Sequence, residues 1–192
     1  MLNRAHAPVE KKILSAQKKV RQLREQVKKL RKRLPAVEVT DYSLTDTKGK
    51  TVRLSQLFGK FDELVLIHNM GPQCPYCTLW ADGMDAFAPY FKDRCAFALE
   101  TDVPYAKLRA FAKQRGWRFP ALSSLGTSLK VDMGVKSKAG NHPAITSFFK
   151  KKGKIYRHAS EELGPGDDFC SFWSVIDLLK DSKRDVKVKY QK

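Results

Sequence analysis

No stretch of this 192-residue chain approaches the ~18 consecutive apolar residues of a membrane span, so the sequence predicts a soluble protein without a transmembrane segment. Cysteine is scarce. Four residues are too few for a disulfide scaffold at this length, and the start Met1-Leu2-Asn3-Arg4-Ala5-His6 lacks the apolar stretch of a secretory leader. Together these absences set the expectation of a reducing, cytoplasmic environment and a core that holds without disulfides. Internal repeats are missing, as are low-complexity segments beyond the basic ends. Acidic residues are few as well, 20 against 37 Lys and Arg, for a net charge of +17. That excess is concentrated at the ends. Residues 1–35 carry +10, residues 180–192 carry +4 and the body only +3. Basic ends can bind nucleic acid or an anionic surface through counterion release, but the favoured reading is a solvated helix face.

Within the basic N-terminus, Ile13, Ala16, Val20, Leu23, Val27, Leu30 and Leu34 recur in steps of three and four. This spacing predicts a helix over residues 9–34 with one apolar stripe, closed by Pro35 and about 39 Å long at ~1.5 Å per residue. Such a stripe needs cover, from a second copy in a homodimer or from a globular body. The positive charges flanking the seam oppose parallel self-pairing, so packing on a body, including that of a partner subunit, is favoured. The sequence therefore divides into a basic amphipathic helix (1–35), a central domain (36–182) and a basic C-terminal tail (183–192).

The most informative motif is Cys74-Pro75-Tyr76-Cys77. Upstream, Leu64 to Ile67 form the short unbroken apolar run of a strand buried on both faces. Downstream, Leu79, Trp80, Met84, Phe87, Ala88 and Phe91 recur at helical spacing, with Pro89 expected to bend or end that helix. A thiol at a helix start meets unpaired backbone amides and the positive end of the dipole, and both favour its thiolate. Model thiols titrate near ~8.5, and C-x-x-C cysteines fall to roughly 3.5–7.5. Cys74 is therefore expected to attack a disulfide and Cys77, one turn on, to resolve the mixed disulfide. Pro75 suits the first helical position, where no N–H is needed. A C-x-x-C pair is also half a zinc site, but Cys95 and Cys170 occur singly, so no metal is assigned and no cofactor is expected.

Further along, Val37–Arg53 reads as two short strands around a turn at Thr47-Lys48-Gly49-Lys50. A strand at Cys95–Leu99, a helix through Tyr105, Leu108 and Phe111, a segment at Phe119–Leu122 and a short helix near Ser128–Met133 follow. Ile145–Phe149 and Ile155–His158 form a hairpin around Lys151–Lys154. Phe169 to Leu179 make a closing helix, with Asp167 or Asp168 placed to cap it.

This β-α-β-α-β-β-α order, with C-x-x-C opening its first helix, looks like a thioredoxin fold. Leu54–Phe58 with Gly59, Leu64–Met70, Cys74–Asp82, Gly116-Trp117-Arg118-Phe119-Pro120 and His142-Pro143 resemble the bacterial thioredoxin-like domain-of-unknown-function family 899. Its members are often labelled predicted dithiol-disulfide oxidoreductases. The resemblance implies an α/β thioredoxin-like domain, a mixed central sheet flanked by helices, with an N-terminal β-hairpin and the preceding basic helix. It implies protein or small-molecule thiols and disulfides as partners, and it fixes fold better than function.

Once that fold is assumed, Pro143 matches the cis-proline that thioredoxin-like proteins place opposite the dithiol, so a cis His142–Pro143 bond is expected, with backbone groups free to pair with substrate. His68 occupies the place of the buried acid that takes a proton from the resolving cysteine, a task open to an imidazole, although a hydrogen-bonded core histidine is the blander reading. Pro75, Tyr76, Trp80 and His142 are the expected substrate-contacting residues. Trp80 doubles as a core aromatic, and Asp82, Cys95 and Cys170 are read as structural. Glutathione use is doubtful without the Thr-Val that precedes proline in glutathione grooves. Two alternatives stand beside a thiol-disulfide oxidoreductase. One is a peroxiredoxin-type thiol peroxidase, disfavoured because Gly71 occupies the place of the expected Thr or Ser. The other is a non-enzymatic basic binding protein on a thioredoxin-like scaffold.

Overall fold

Residues 7–181 are described in a computed structural model of the chain, which divides into two units, Met1–Ala36 and Val37–Lys192. In the first, helix α1 (Ala7–Arg31) follows the three-and-four apolar spacing, and none of its residues is buried. Ile13, Val20, Leu23, Val27 and Leu30 are all exposed. The helix stops at Arg31 rather than Leu34, and a turn closes it in which the Leu34 N–H binds the Arg31 carbonyl 3.1 Å away. The residue before a proline is steered out of the helical region, so the chain leaves the helix ahead of Pro35. The expected tail 183–192 lies outside the described residues.

The second unit runs β1 (Val37–Val39), β2 (Ser43–Asp46), β3 (Thr51–Arg53), α2 (Leu54–Leu57), β4 (Glu63–His68), α3 (Pro75–Phe91), β5 (Ala96–Thr101) and α4 (Tyr105–Arg115). It continues through β6 (Ala121–Ser123), α5 (Leu129–Asp132), β7 (Lys136–Ser137), β8 (Gly140–Asn141), β9 (Ala144–Lys151), β10 (Lys154–Glu162) and α6 (Ser171–Ile176). Among the described residues, eight strands form one mixed sheet in the order β1-β10-β9-β4-β5-β6-β2-β3, and β7 and β8 form a separate pair. The pairs β4–β5 and β5–β6 are parallel, and β9 runs antiparallel to β4 with Ala144 opposite His68. This is a thioredoxin-like fold.

Strand alternation distributes the core across the two faces of this sheet. Leu64 and Leu66 of β4, Ala96 and Ala98 of β5 and Phe148 of β9 pack with Leu54, Phe58, Leu129 and Met133. On the opposite face Ile67, Phe97 and Leu99 pack with Trp80, Ala81 and Met84 of α3, Leu108 of α4 and Trp173 of α6. Both faces of the central strands are covered, which explains the unbroken apolar run at Leu64–Ile67.

Three elements differ from expectation. Val37–Arg53 holds three strands, because Val37–Val39 crosses to the far edge and pairs with β10, while β2 and β3 form the hairpin. In that hairpin Asp46 accepts from the Lys48 and Lys50 amides at 2.7 and 2.9 Å, and Gly49 takes the positive φ of 84° that the turn requires. Pro89 does not end α3, which continues to Phe91. The carbonyl that Pro89 leaves unpaired, that of Asp85, accepts from Arg118 Nη2 at 2.6 Å, so the missing helical bond is replaced from outside. The closing helix is short. Cys170 is its N-cap, and Asp167 acts one step earlier, accepting from the Phe169 and Cys170 amides at 2.8 and 3.0 Å.

Asp82 and Asp85 on α3 bind the segment after α4. Asp82 accepts from Trp117 Nε1 at 2.9 Å and from Arg115, and Asp85 accepts from the Arg118 amide at 2.6 Å and its Nε at 2.9 Å. Asp82→Ala leaves the Trp117 indole N–H without its acceptor. It is expected to lower the unfolding free energy by ~1–3 kcal/mol in urea titrations while leaving the alkylation rate of Cys74 unchanged, the outcome a structural Asp82 requires.

Candidate functional site

The carboxyl end of β4 leads directly into the cysteine loop. Cys74 is the N-cap of α3, with extended backbone angles, and Pro75 takes the first helical position, so the α3 start forms as the sequence predicts. Cys74 Sγ accepts a hydrogen bond from the Cys77 amide at 3.1 Å, the bond a serine or aspartate cap makes elsewhere. The Thr78 hydroxyl donates to the Cys74 carbonyl at 3.1 Å. Cys74 and Cys77 are joined as a disulfide with their Cα atoms 5.3 Å apart. Cys74 is half-buried and Cys77 is 2% exposed, so a reagent arriving from solvent meets Cys74 first.

Behind the loop lies a polar cluster sealed from water. Asn69, the residue after β4, donates from Nδ2 to the Cys77 carbonyl at 3.3 Å and accepts on Oδ1 from the Gly71 amide at 2.6 Å, so one side chain holds both arms of the cysteine loop. Its own carbonyl accepts from Lys130 Nζ at 3.0 Å. Lys130 also sits 3.1 Å from Glu100 Oε1, with side-chain exposures of 2% and 0%. Glu100 Oε1 accepts from His68 Nδ1 at 2.6 Å and Oε2 from the Ser124 hydroxyl at 2.5 Å. His68 Nε2 lies 2.9 Å from Thr146 Oγ1, which in turn lies 2.8 Å from Ser160 Oγ. A carboxylate can only accept, which places the His68 proton on Nδ1. Burial pushes the Glu100 carboxyl up, but the His68 hydrogen bond, the Lys130 charge and the Ser124 hydroxyl outweigh it and hold the group below the ordinary carboxylate range.

The sequence-predicted residues fall into distinct places. His68 shares the strand face of Leu64 and Leu66, while α3 packs on the face of Ile67, and both ring nitrogens of His68 are engaged by Glu100 and Thr146. The expectation at Pro143 is corrected, because no peptide bond among the described residues is cis and His142–Pro143 is trans. With a trans bond the flanking backbone is satisfied internally. The His142 amide donates to Val135 O at 2.8 Å and Pro143 O accepts from Leu163 N at 2.9 Å, extending the β9–β10 ladder. Pro143 nonetheless precedes β9 at the sheet end from which the cysteine loop springs, since Ala144 pairs with His68. Trp80 is buried and forms an aromatic trio with Tyr76 and Trp173, with ring centroids 6.1–6.2 Å apart. Trp80 is therefore core beside the dithiol, whereas Pro75 and Tyr76 are half-buried and His142 is exposed.

Cys95 and Cys170 are free and buried, and burial pushes both thiols up, away from the ionised form. Gly71 has φ 108°, and a Cβ there would lie 2.8 Å from Gln73 Oε1 and 3.1 Å from Val103 Cγ1. Asn69 and Lys130 belong to the site but not to the sequence-predicted residues. Asn69 sits next to the chosen His68 and alternation turns it to the α3 side, a signal that strand parity offers. Lys130 had none, because an isolated lysine 56 residues after Cys74 reads as a surface charge.

The fold and the C-x-x-C at the start of its first core helix define a thioredoxin-like protein with a redox-capable cysteine pair. Residues 3–191 match the family described as "Bacterial protein of unknown function (DUF899)", and the chain belongs to that family. No curated protein matches it significantly. Among solved structures it is similar to peroxidoxin BcpB of Mycobacterium tuberculosis, with 22% identity, TM-score 0.59 and coverage of 67% of this chain and 85% of that one. It is also similar to peroxiredoxin Q of Xanthomonas campestris, with 16% identity, TM-score 0.57 and coverage of 66% and 85%. Among the described residues no helix is long and apolar enough to cross a membrane.

The depressed Glu100 pKa has a defined linkage sign. Its contacts stabilise the fold fully above the ordinary glutamate pKa of about 4.3, and that contribution is lost as pH falls through the lower folded value. Urea titrations from pH 7 into the acid limb are expected to show wild-type stability falling more steeply below about pH 4 than that of Glu100→Gln; parallel limbs would show that Glu100 is not held ionised.

Proposed function

We propose that the protein is a thiol-disulfide oxidoreductase in which Cys74 attacks and Cys77 resolves. The observation that carries the reading is the asymmetric pair at the α3 start, a half-buried Cys74 Sγ accepting the Cys77 amide and a Cys77 that is 2% exposed. In the reduced form the same amide and the helix dipole stabilise a Cys74 thiolate. The thiolate attacks a sulfur of the partner disulfide, forms the mixed disulfide and expels the other partner sulfur as thiolate. Cys77, losing its proton, then attacks Cys74, releases the second partner thiol and leaves the Cys74–Cys77 disulfide. The partner is reduced by two electrons and the protein pair is oxidised by two. Pro75 and Tyr76 flank the attacking sulfur and, with His142 and Pro143 at the same sheet end, offer the surface for an extended thiol or disulfide partner.

Peroxide reduction is the weaker reading. The place where that chemistry expects a Thr or Ser hydroxyl is Gly71, whose φ of 108° either residue would adopt only under strain. A purely basic binding role for the chain predicts salt-sensitive phosphate binding that survives replacement of both cysteines.

In the reduced protein Cys74 is expected to alkylate at neutral pH at least about tenfold faster than free cysteine, and Cys77→Ser to accumulate a dithiothreitol-sensitive covalent partner on Cys74. Failure to trap any protein or model disulfide would remove the enzyme reading. In this reading His68 acts through Glu100 and Lys130, not by contact with Cys77. His68→Ala is expected to slow the resolving step and change its pH profile, and an unchanged rate and profile would take His68 out of the site.

A further inference from the structure

A buried lysine–glutamate pair is seldom a stabilising choice, because apolar residues of similar volume often serve a fold as well or better. The Lys130–Glu100 pair has a second connection that a purely structural pair would not need. Lys130 Nζ spans from Glu100 Oε1 (3.1 Å) to the Asn69 carbonyl (3.0 Å), and Asn69 grips the Cys77 carbonyl and the Gly71 amide. Two opposite charges shielded from water thus stand directly behind the backbone that carries the dithiol, with the ammonium on the side bonded to that backbone. In an interior of effective dielectric ~20 rather than 80, each charge acts strongly on ionisation nearby.

We infer that Lys130 is a positioning residue which, opposed by Glu100, sets how readily the Cys74–Cys77 disulfide is reduced, an inference that rests on the redox reading above. When dithiothreitol reduces the pair, two electrons break the S–S bond, and the reductant closes to its cyclic disulfide. Of the two protons it gives up, Cys77 takes one, and the other goes to solvent when Cys74 remains a thiolate. Negative charge therefore develops at the α3 start. The Lys130 ammonium favours that product and the Glu100 carboxylate disfavours it. Removing them one at a time must then move the equilibrium in opposite directions, whereas a loosened fold would move it the same way for both.

The test is the redox equilibrium of the full chain against dithiothreitol at pH 7, read by alkylation of the free thiols, for wild type, Lys130→Met, Glu100→Gln and the double variant. Lys130→Met is expected to shift the equilibrium about tenfold toward the disulfide and Glu100→Gln about tenfold toward the dithiol, roughly 30 mV each for a two-electron couple, with the double variant within threefold of wild type. Shifts of the same sign, or both single variants within twofold of wild type, would overturn the inference. Far-UV circular dichroism checks folding. Should Lys130→Met fail to fold, Lys130→Gln, which removes the charge and keeps a donor for the Asn69 carbonyl, is expected to show the same shift, and a value within twofold of wild type would count against the inference equally. Dithiothreitol needs no biological partner, so an unsuccessful substrate trap with Cys77→Ser would sink the redox reading without deciding this one.

Discussion

A carboxylate sealed from water must find its partners inside the protein, and the Glu100 side chain does so with three donors from three segments. His68 comes from the neighbouring parallel strand, Ser124 from the residue just after β6 and Lys130 from α5, and the hydroxyls of Thr146 and Ser160 extend the chain of contacts to β9 and β10. The requirement to satisfy this one charge therefore fixes the relative placement of most of the central sheet at its carboxyl end. Because Lys130 also holds the Asn69 carbonyl, the same contacts fix the loop on which the cysteines stand. Stability and the geometry of the site share atoms here, so a change made for one reaches the other.

α3 has two kinds of support. At its first turn the Asn69 amide bonds the Cys77 carbonyl. Along its length Trp80 packs against Tyr76 and Trp173, and further on Asp82 and Asp85 bind Arg115, Trp117 and Arg118. Two of the segments that carry the family resemblance, Cys74–Asp82 and Gly116–Pro120, meet in this second attachment through Asp82 and Trp117.

The parts of the fold legible in the sequence are those governed by local rules. The C-x-x-C helix start, the β9–β10 hairpin and the central apolar strands follow from capping, turn chemistry and alternation within a few residues. What depended on distant partners was not legible. Val37–Val39 reads as a hairpin arm until β10 is present to pair with it, and Pro89 reads as a helix end until Arg118 supplies a donor for the stranded carbonyl. The site divides in the same way. Cys74, Cys77 and Pro75 are marked by spacing, whereas the pairing of His68 with Glu100 and of Lys130 with Asn69 spans 32 and 61 residues. The cis geometry expected at Pro143 comes from the fold analogy alone, and the contacts to Val135 and Leu163 show that the flanking backbone is already paired.

The placement of the four thiols has a consequence for oxidative damage. Two are adjacent at a helix tip, and the other two, Cys95 and Cys170, are buried where the protonated, unreactive state is favoured. An oxidant acting on the folded chain therefore meets one cysteine pair already within bonding reach, while burial withholds the other two thiols from exchange.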